Sequence, residues 1–104
     1  MDLKEKHALG DQADTHWYYV SKARMITRHL PRRGYEILDV GAGVGWFSRW
    51  LLKNGFGNSA VCVDPGYDTD SKTEVAGKPI FYRREVGALG SDLVLLMDVL
   101  VFRV

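Results

Sequence analysis

The chain has 104 residues, of which 46% are hydrophobic and 26% charged, so its size and composition fit one globular domain and leave no room for a second. Its formal net charge of +1 gives no global electrostatic attraction to nucleic acid or to an anionic membrane. The first residues carry charges where a secretory signal would be apolar, and no apolar run reaches the length of a membrane span. We therefore expect a cytoplasmic protein.

Cysteine and histidine usage predicts neither a disulfide nor a metal site. Cys62 is the single cysteine and lies in an apolar run, so we expect a small buried side chain in a reducing compartment. His7, His16 and His29 have no ligand spacing with one another or with Cys62.

The first predicted element in chain order is a helix. Residues 1–14 are polar and are predicted to form a flexible arm, which leaves 15–104 as the folded domain. Asp14 or Thr15 can cap a helix that runs to about Leu30, because apolar residues recur at helical spacing over this stretch. Pro31–Gly34 then ends the helix and turns the chain.

The stretch Tyr35–Phe47 predicts a strand, a glycine turn and a second helix that runs from Val44 to Asn54. Gly41–Gly45 supplies backbone without Cβ atoms, which can adopt positive φ and let a ligand approach the start of the helix. An anionic or hydroxyl-rich ligand fits such a turn. A nicotinamide or flavin dinucleotide site is disfavoured, since its G-x-G-x-x-G pattern would need glycine at the position of Trp46.

A second acidic residue follows the next predicted strand. Residues 60–63 form a short buried run that ends at Asp64, 25 residues after Asp39. A carboxylate there offers two acceptor oxygens to the two hydroxyls of a ribose lying over the glycine turn. The alternative is that Asp64-Pro65-Gly66 only begins a turn.

The remaining residues predict two more strands. Residues 67–77 are polar and indicate a loop or a short exposed helix, and Pro79–Tyr82 is predicted as the third strand, at an edge of the sheet. Asp92–Val101 is predicted as one apolar fourth strand. The order 3-2-1-4 is feasible only if residues 84–91 are nearly extended. Asp98 interrupts the apolar run and must face a polar site at the strand end.

The pattern Asp39-x-Gly41-x-Gly43-x-Gly45, followed by Asp64 and by Leu96–Leu100, resembles motif I and its companions in class I S-adenosylmethionine (SAM) dependent methyltransferases. The resemblance covers Trp17 to Leu100. It implies an α/β, Rossmann-like three-layer sandwich with a mainly parallel sheet, of which this chain matches the N-terminal, cofactor-binding half without the later strands.

The resemblance also implies a set of cofactor-binding residues. In that family the glycine turn takes the methionine end of SAM, the acid after the second strand takes the ribose, and an acid and an amide after the third strand read the adenine. The Asp or Asn at the end of the fourth strand contacts the methionine moiety of SAM or lines the acceptor site. The residues at these positions are Asp39, Gly41, Ala42, Gly43, Gly45, Asp64, Glu85, Val86 and Asp98. Asp39 would act by shaping the turn, and Glu85 is equally consistent with a solvated loop residue.

Other features stay open. The cluster His16-Trp17-Tyr18-Tyr19 favours core packing, although the resemblance implies a lid over the cofactor as the alternative. No catalytic residue and no methyl acceptor can be assigned. A SAM-binding module without activity, or a nicotinamide-linked oxidoreductase, are the rival functions. The fourth strand would be an uncovered apolar edge, which predicts self-association or a partner that supplies further strands.

Overall fold

The computed structural model describes residues 13–87, 90–96 and 100–103. Two helices and six strands follow in chain order: α1 (Ala13–Thr27), β1 (Tyr35–Val40), α2 (Trp46–Lys53), β2 (Gly57–Val63), β3 (Ser71–Val75), β4 (Lys78–Arg83), β5 (Leu93–Leu96) and β6 (Leu100–Arg103). Most of the predicted N-terminal arm lies outside the described residues. The first helix begins earlier than predicted, since Ala13 and Asp14 belong to α1.

The strands form one mixed sheet in the order β3-β4-β2-β1-β5-β6. The neighbours β4, β2, β1 and β5 are parallel, whereas β3 and β6 pair antiparallel at the two edges. The α/β class and the mainly parallel sheet are confirmed. The complete order differs from the predicted four-strand order 3-2-1-4 because two antiparallel strands extend the sheet.

Residues 67–77 were predicted to form a loop or a short helix, and this prediction is wrong over β3. Ala76 and Gly77 have φ angles of 54° and 78°, a two-residue turn that joins β3 to β4 as an antiparallel hairpin. The third predicted strand, β4, is therefore not an edge strand. Pro79 is tolerated because pairing of β4 with β2 begins one residue later, at Ile80.

The predicted single strand Asp92–Val101 is also wrong, because β5 and β6 are two strands that pair with each other. Leu96 lies opposite Leu100 in this pairing, and residues 97–99, which include Asp98, lie outside the described residues. The outer edge of β5 was predicted to be free for self-association. It is not free, since β6 pairs with its backbone groups.

The core lies between α2 and the sheet. Phe47, Leu51 and Leu52 are buried on α2, and Ile37 and Ile80 are buried on the strands beneath. Burying a side chain of this size contributes about 1.5–3 kcal/mol, so this contact fixes the start of α2 above the carboxyl ends of β1 and β2. No helix in the described ranges is long and apolar enough to cross a membrane.

Candidate functional site

The turn between β1 and α2 has a backbone that only glycine adopts readily. Gly41, Gly43 and Gly45 have φ angles of 72°, 59° and 74°. Gly45 is the N-cap of α2, and a Cβ atom there would lie 3.1 Å from Cys62 Sγ and 3.2 Å from Tyr82 Cε1. The alternating glycines in the sequence therefore meet both a conformational requirement and a close approach to the sheet.

The end of β2 holds this turn in place. The amides of Gly41 and Ala42 both donate to the carbonyl oxygen of Val63, at 2.8 and 3.2 Å. The Gly45 amide donates to the Ala42 carbonyl at 2.9 Å and closes the turn. The glycine turn is thus fixed next to the carboxyl end of the neighbouring parallel strand.

Asp64 stands at that strand end, and its carboxylate links two loops. Oδ2 accepts a hydrogen bond from the Gly43 amide at 3.0 Å, and Oδ1 accepts one from the Gly66 amide at 2.9 Å. The residue is only partly buried. A carboxylate oxygen can accept two hydrogen bonds, so each oxygen keeps capacity for one hydroxyl donor. The structure brings Asp64 and the turn together as the sequence predicted.

Asp39 has a different environment from Asp64. Its side chain is 2% exposed, and Oδ2 accepts a hydrogen bond from the Ser48 hydroxyl of α2 at 2.7 Å. This bond ties the end of β1 to the first turn of α2. The geometry fits the expectation that Asp39 shapes the turn rather than touching a ligand, and its part in cofactor binding stays a prediction.

Glu85 and Val86 are exposed and follow β4, beyond the strand end next to Asp64. Together with Pro65, Asp70, Arg83, Arg84 and Gly87, they line a cavity of about 490 Å³. Asp70 braces this loop, since its Oδ1 accepts a hydrogen bond from the Arg84 amide at 3.0 Å. Glu85 and Val86, which the resemblance assigns to adenine, therefore line the same cavity as Pro65, the residue next to Asp64.

Sequence reasoning missed Tyr67, which supports the turn from below. Its hydroxyl donates to the Gly43 carbonyl at 2.6 Å, and its ring meets the Tyr82 ring edge-on at 5.5 Å. Both rings line a second cavity of about 480 Å³ that also reaches Gly43. The available signal was one large aromatic residue in the otherwise polar segment after Asp64, where a loop alone needs none.

Burial governs the ionisable groups beneath the turn. Desolvation raises the pKa of the Cys62 thiol, and the charge of nearby Asp39 raises it further. Desolvation also raises the pKa of the Tyr67 hydroxyl and of the Tyr82 hydroxyl. These groups stay neutral near pH 7, so the layer under the turn carries no nucleophilic thiolate or phenolate. In the part of the chain that the structure describes, no three metal-ligating side chains lie together.

Comparison with known proteins finds similarity over part of the chain. The chain is 36% identical over 58 residues to the tRNA U34 carboxymethyltransferase of Pseudomonas aeruginosa, which is 56% of this chain and 18% of that protein. It is 34% identical over 61 residues to the protein of the same name from Pseudomonas fluorescens, and 31% identical over 61 residues to that from Pseudomonas savastanoi. No family model and no solved structure matches.

The chain thus covers less than a fifth of the length of these relatives. At a coarse level the similarity supports a transferase of the methyltransferase type, in agreement with the resemblance seen in the glycine turn. The relatives are named for a tRNA, a partner class that the net charge of this chain does not predict.

The raised pKa values predict a loss of stability in alkali. A group whose folded-state pKa is raised stabilises the fold fully below its unfolded pKa, and this contribution disappears as pH rises towards the folded value. Unfolded cysteine and tyrosine ionise at about pH 8.5 and 10, so the free energy of unfolding should fall above about pH 9. Urea denaturation at pH 7.5 and 10.5 measures this fall, and Tyr67→Phe should make it smaller. An equal fall in the variant would contradict the assignment to Tyr67.

Proposed function

We propose that this chain binds SAM and is the cofactor-binding part of a SAM-dependent transferase of the class I methyltransferase type. One observation carries the proposal: the Asp64 carboxylate is held by the Gly43 and Gly66 amides at the carboxyl end of β2, beside the glycine turn. Ligands bind at the carboxyl ends of parallel strands in α/β sheets of this kind. The Rossmann-like succession of the parallel strands β4, β2, β1 and β5 supports the same reading.

The residues present fit an adenosine sulfonium. The spare acceptor capacity of Asp64 suits the two ribose hydroxyls, and the cavity beside Glu85 and Val86 adjoins it and suits the adenine. The glycine turn leaves backbone without side chains at the start of α2, which suits the methionine end. Asp98 is proposed for the methionine side on sequence grounds alone.

The chemistry requires little of the protein beyond positioning. When bound, SAM supplies an electrophilic carbon on a sulfonium. The glycine turn and Asp64 would orient it, and Cys62 and Tyr67 form a buried layer that supports the turn. General-base help is needed only for a poor nucleophile, and no residue of this chain is assigned to it.

The names of the relatives suggest which donor and acceptor to test first. We propose tRNA as the first acceptor to assay, because the relatives at 31–36% identity are named for a tRNA nucleotide. Those names also specify a carboxymethyl group. The donor panel therefore contains SAM and its analogue that carries a carboxylate on the transferred methyl group.

Calorimetry followed by a transfer assay tests the proposal. Saturable binding of SAM or its carboxylated analogue, with transfer of the labelled one-carbon or carboxymethyl group to RNA, is the expected result. Binding without transfer to any acceptor in the panel would favour a SAM-binding module instead of an enzyme. Protection from thermal unfolding by NAD but not by SAM would overturn the proposal in favour of an oxidoreductase.

A further inference from the structure

A groove between the two helices adjoins the site described above. Six of the described residues line it and enclose about 290 Å³: His16, Val20, Trp46, Arg49, Trp50 and Lys53. Arg49 also lines the cavity that reaches Gly43. We call it the α1–α2 groove. None of its residues lines the cavity beside Asp64 and Glu85. Its volume is at the small end for ligand pockets, which suits one unit of a polymer rather than a whole ligand.

Two indole rings form the aromatic part of the α1–α2 groove. Trp50 stacks on Phe56 with an interplanar angle of 16°, so one face of its ring is supported from below. Trp46 meets the His16 ring edge-on at 6.1 Å and packs against Phe47 at 5.1 Å. Both indoles are only partly buried. Both indoles pack against neighbouring rings and still line the groove, so a nucleic-acid base could stack on them.

The charged side chains that the structure describes in the groove are cationic. Arg49 and Lys53 are exposed one helical turn apart on α2, and none of the described residues that line the groove carries a carboxylate. The ion pair of Arg33 with Asp92 involves neither of these cations. Two like charges at this spacing destabilise a helix by about 0.2–0.5 kcal/mol. A bound anion would reduce this repulsion.

The side of α1 that lines the groove extends this positive surface. His16, Val20 and Arg24 succeed one another at intervals of four residues, so Arg24 continues the same ridge of the helix. Arg24 is exposed, and no acidic residue occurs between Asp14 and Glu36 in the sequence. The net charge of the chain is close to zero, but the groove and the adjoining side of α1 form a local cationic surface that also contains aromatic residues.

We propose that the α1–α2 groove binds a segment of single-stranded nucleic acid, with a base stacked on Trp50 or Trp46 and phosphates paired with Arg49 and Lys53. Partly exposed indoles beside cations, with no carboxylate among the described lining residues, match the chemistry of unpaired bases and their backbone. A duplex would hide its base faces from the indoles. The inference deepens the proposed function by giving a place to a nucleic-acid acceptor, and in that respect it rests on that function.

Fluorescence anisotropy with a labelled single-stranded oligoribonucleotide of about ten nucleotides, without SAM, tests the groove. Each cation–phosphate contact contributes a salt slope of about −0.7 for single strands, equivalent to about fivefold in affinity at 0.1 M salt. Lys53→Gln should therefore weaken binding about fivefold, and Arg49→Gln combined with Lys53→Gln about 25-fold. The salt slope should fall by about 0.7 for each cation removed.

The matched control is Lys72→Gln, which removes the same charge from an exposed residue of β3 that does not line the groove. It should leave both the affinity and the salt slope unchanged. Trp50→Leu should weaken binding about tenfold through lost stacking, once its melting temperature shows that the fold is kept. Bound RNA should quench tryptophan fluorescence to the same extent in Trp17→Phe, since Trp17 is 70% exposed outside the groove.

Three results would overturn the proposal: equal losses in Lys53→Gln and Lys72→Gln, equal affinity for duplex RNA, or tighter binding of an acidic peptide than of RNA. SAM titration of the same variants separates the two proposals. If SAM binds and RNA does not, the groove proposal alone fails. If RNA binds with the predicted losses and SAM does not, the groove stands and the proposed function fails.

Discussion

Replacing Asp64 with asparagine should weaken SAM binding by roughly 10- to 100-fold. The carboxylate accepts from the Gly43 and Gly66 amides, one on each oxygen, and an asparagine amide group cannot accept from one of these donors. The same substitution removes an acceptor for a ribose hydroxyl. Hydrogen bonds to a charged group contribute about 1.5–3 kcal/mol each, which corresponds to this loss of affinity. Isothermal titration calorimetry with SAM measures it.

Glu74→Gln is the matched control for this variant. Glu74 is exposed on β3 and lines neither of the two cavities at the site, so the substitution removes the same charge away from the glycine turn. Its affinity for SAM should equal that of the unmodified chain. Equal losses in the two variants would mean that Asp64 acts only through general electrostatics, and the ribose role would have to be abandoned.

Gly45→Ala should destabilise the fold by about 2–5 kcal/mol. An L-residue at the left-handed φ of 74° costs about 1–2 kcal/mol, and the new Cβ would press on Cys62 Sγ at 3.1 Å and Tyr82 Cε1 at 3.2 Å. Overpacking of this kind adds about 1–3 kcal/mol. Urea denaturation at neutral pH measures the change in the free energy of unfolding.

Gly77→Ala separates the two causes. Gly77 has a similar φ of 78°, but a Cβ atom there meets nothing within 4 Å. This variant should lose only the backbone part, about 1–2 kcal/mol. If the two variants lost equal stability, the close approach of the turn to β2 and β4 would contribute nothing.

The sequence predicts the part of the site whose residues lie close together along the chain. The strand β1, the Gly41–Gly45 turn and the start of α2 follow one another directly, and each has a strong intrinsic signal in apolar runs or glycines. The position of Asp64 follows from the same logic, because the carboxyl ends of adjacent parallel strands must meet at one edge of the sheet.

The two edge strands could not be predicted in this way. Four of the five residues of β3 are exposed, so Ser71–Val75 has no apolar alternation to detect. The hairpin turn is Ala76-Gly77 rather than the Asn-Gly or Asp-Gly that marks such turns in sequences. The boundary between β5 and β6 falls within an apolar run that only Asp98 interrupts, and one acidic residue is equally consistent with a strand end that faces a polar site.

The α1–α2 groove depends on tertiary structure. His16 and Trp50 are 34 residues apart, and the packing of α1 on α2, in which Tyr19 contacts Trp46 and Phe47, brings them to one groove. In the sequence, Arg49 and Lys53 indicate no more than a solvated helix face. The set of described residues that line the groove is a property of the folded surface, so no local pattern could show it.

Amide chemical shifts followed during a SAM titration test the central claim most directly. Binding at the glycine turn and Asp64 predicts the largest shifts at Gly43, Gly45, Gly66 and Val86, because their amides lie in the turn, beside the Asp64 carboxylate or in the adjoining cavity. Shifts confined to His16, Trp50 and Lys53 in the α1–α2 groove, with the turn unaffected, would contradict it.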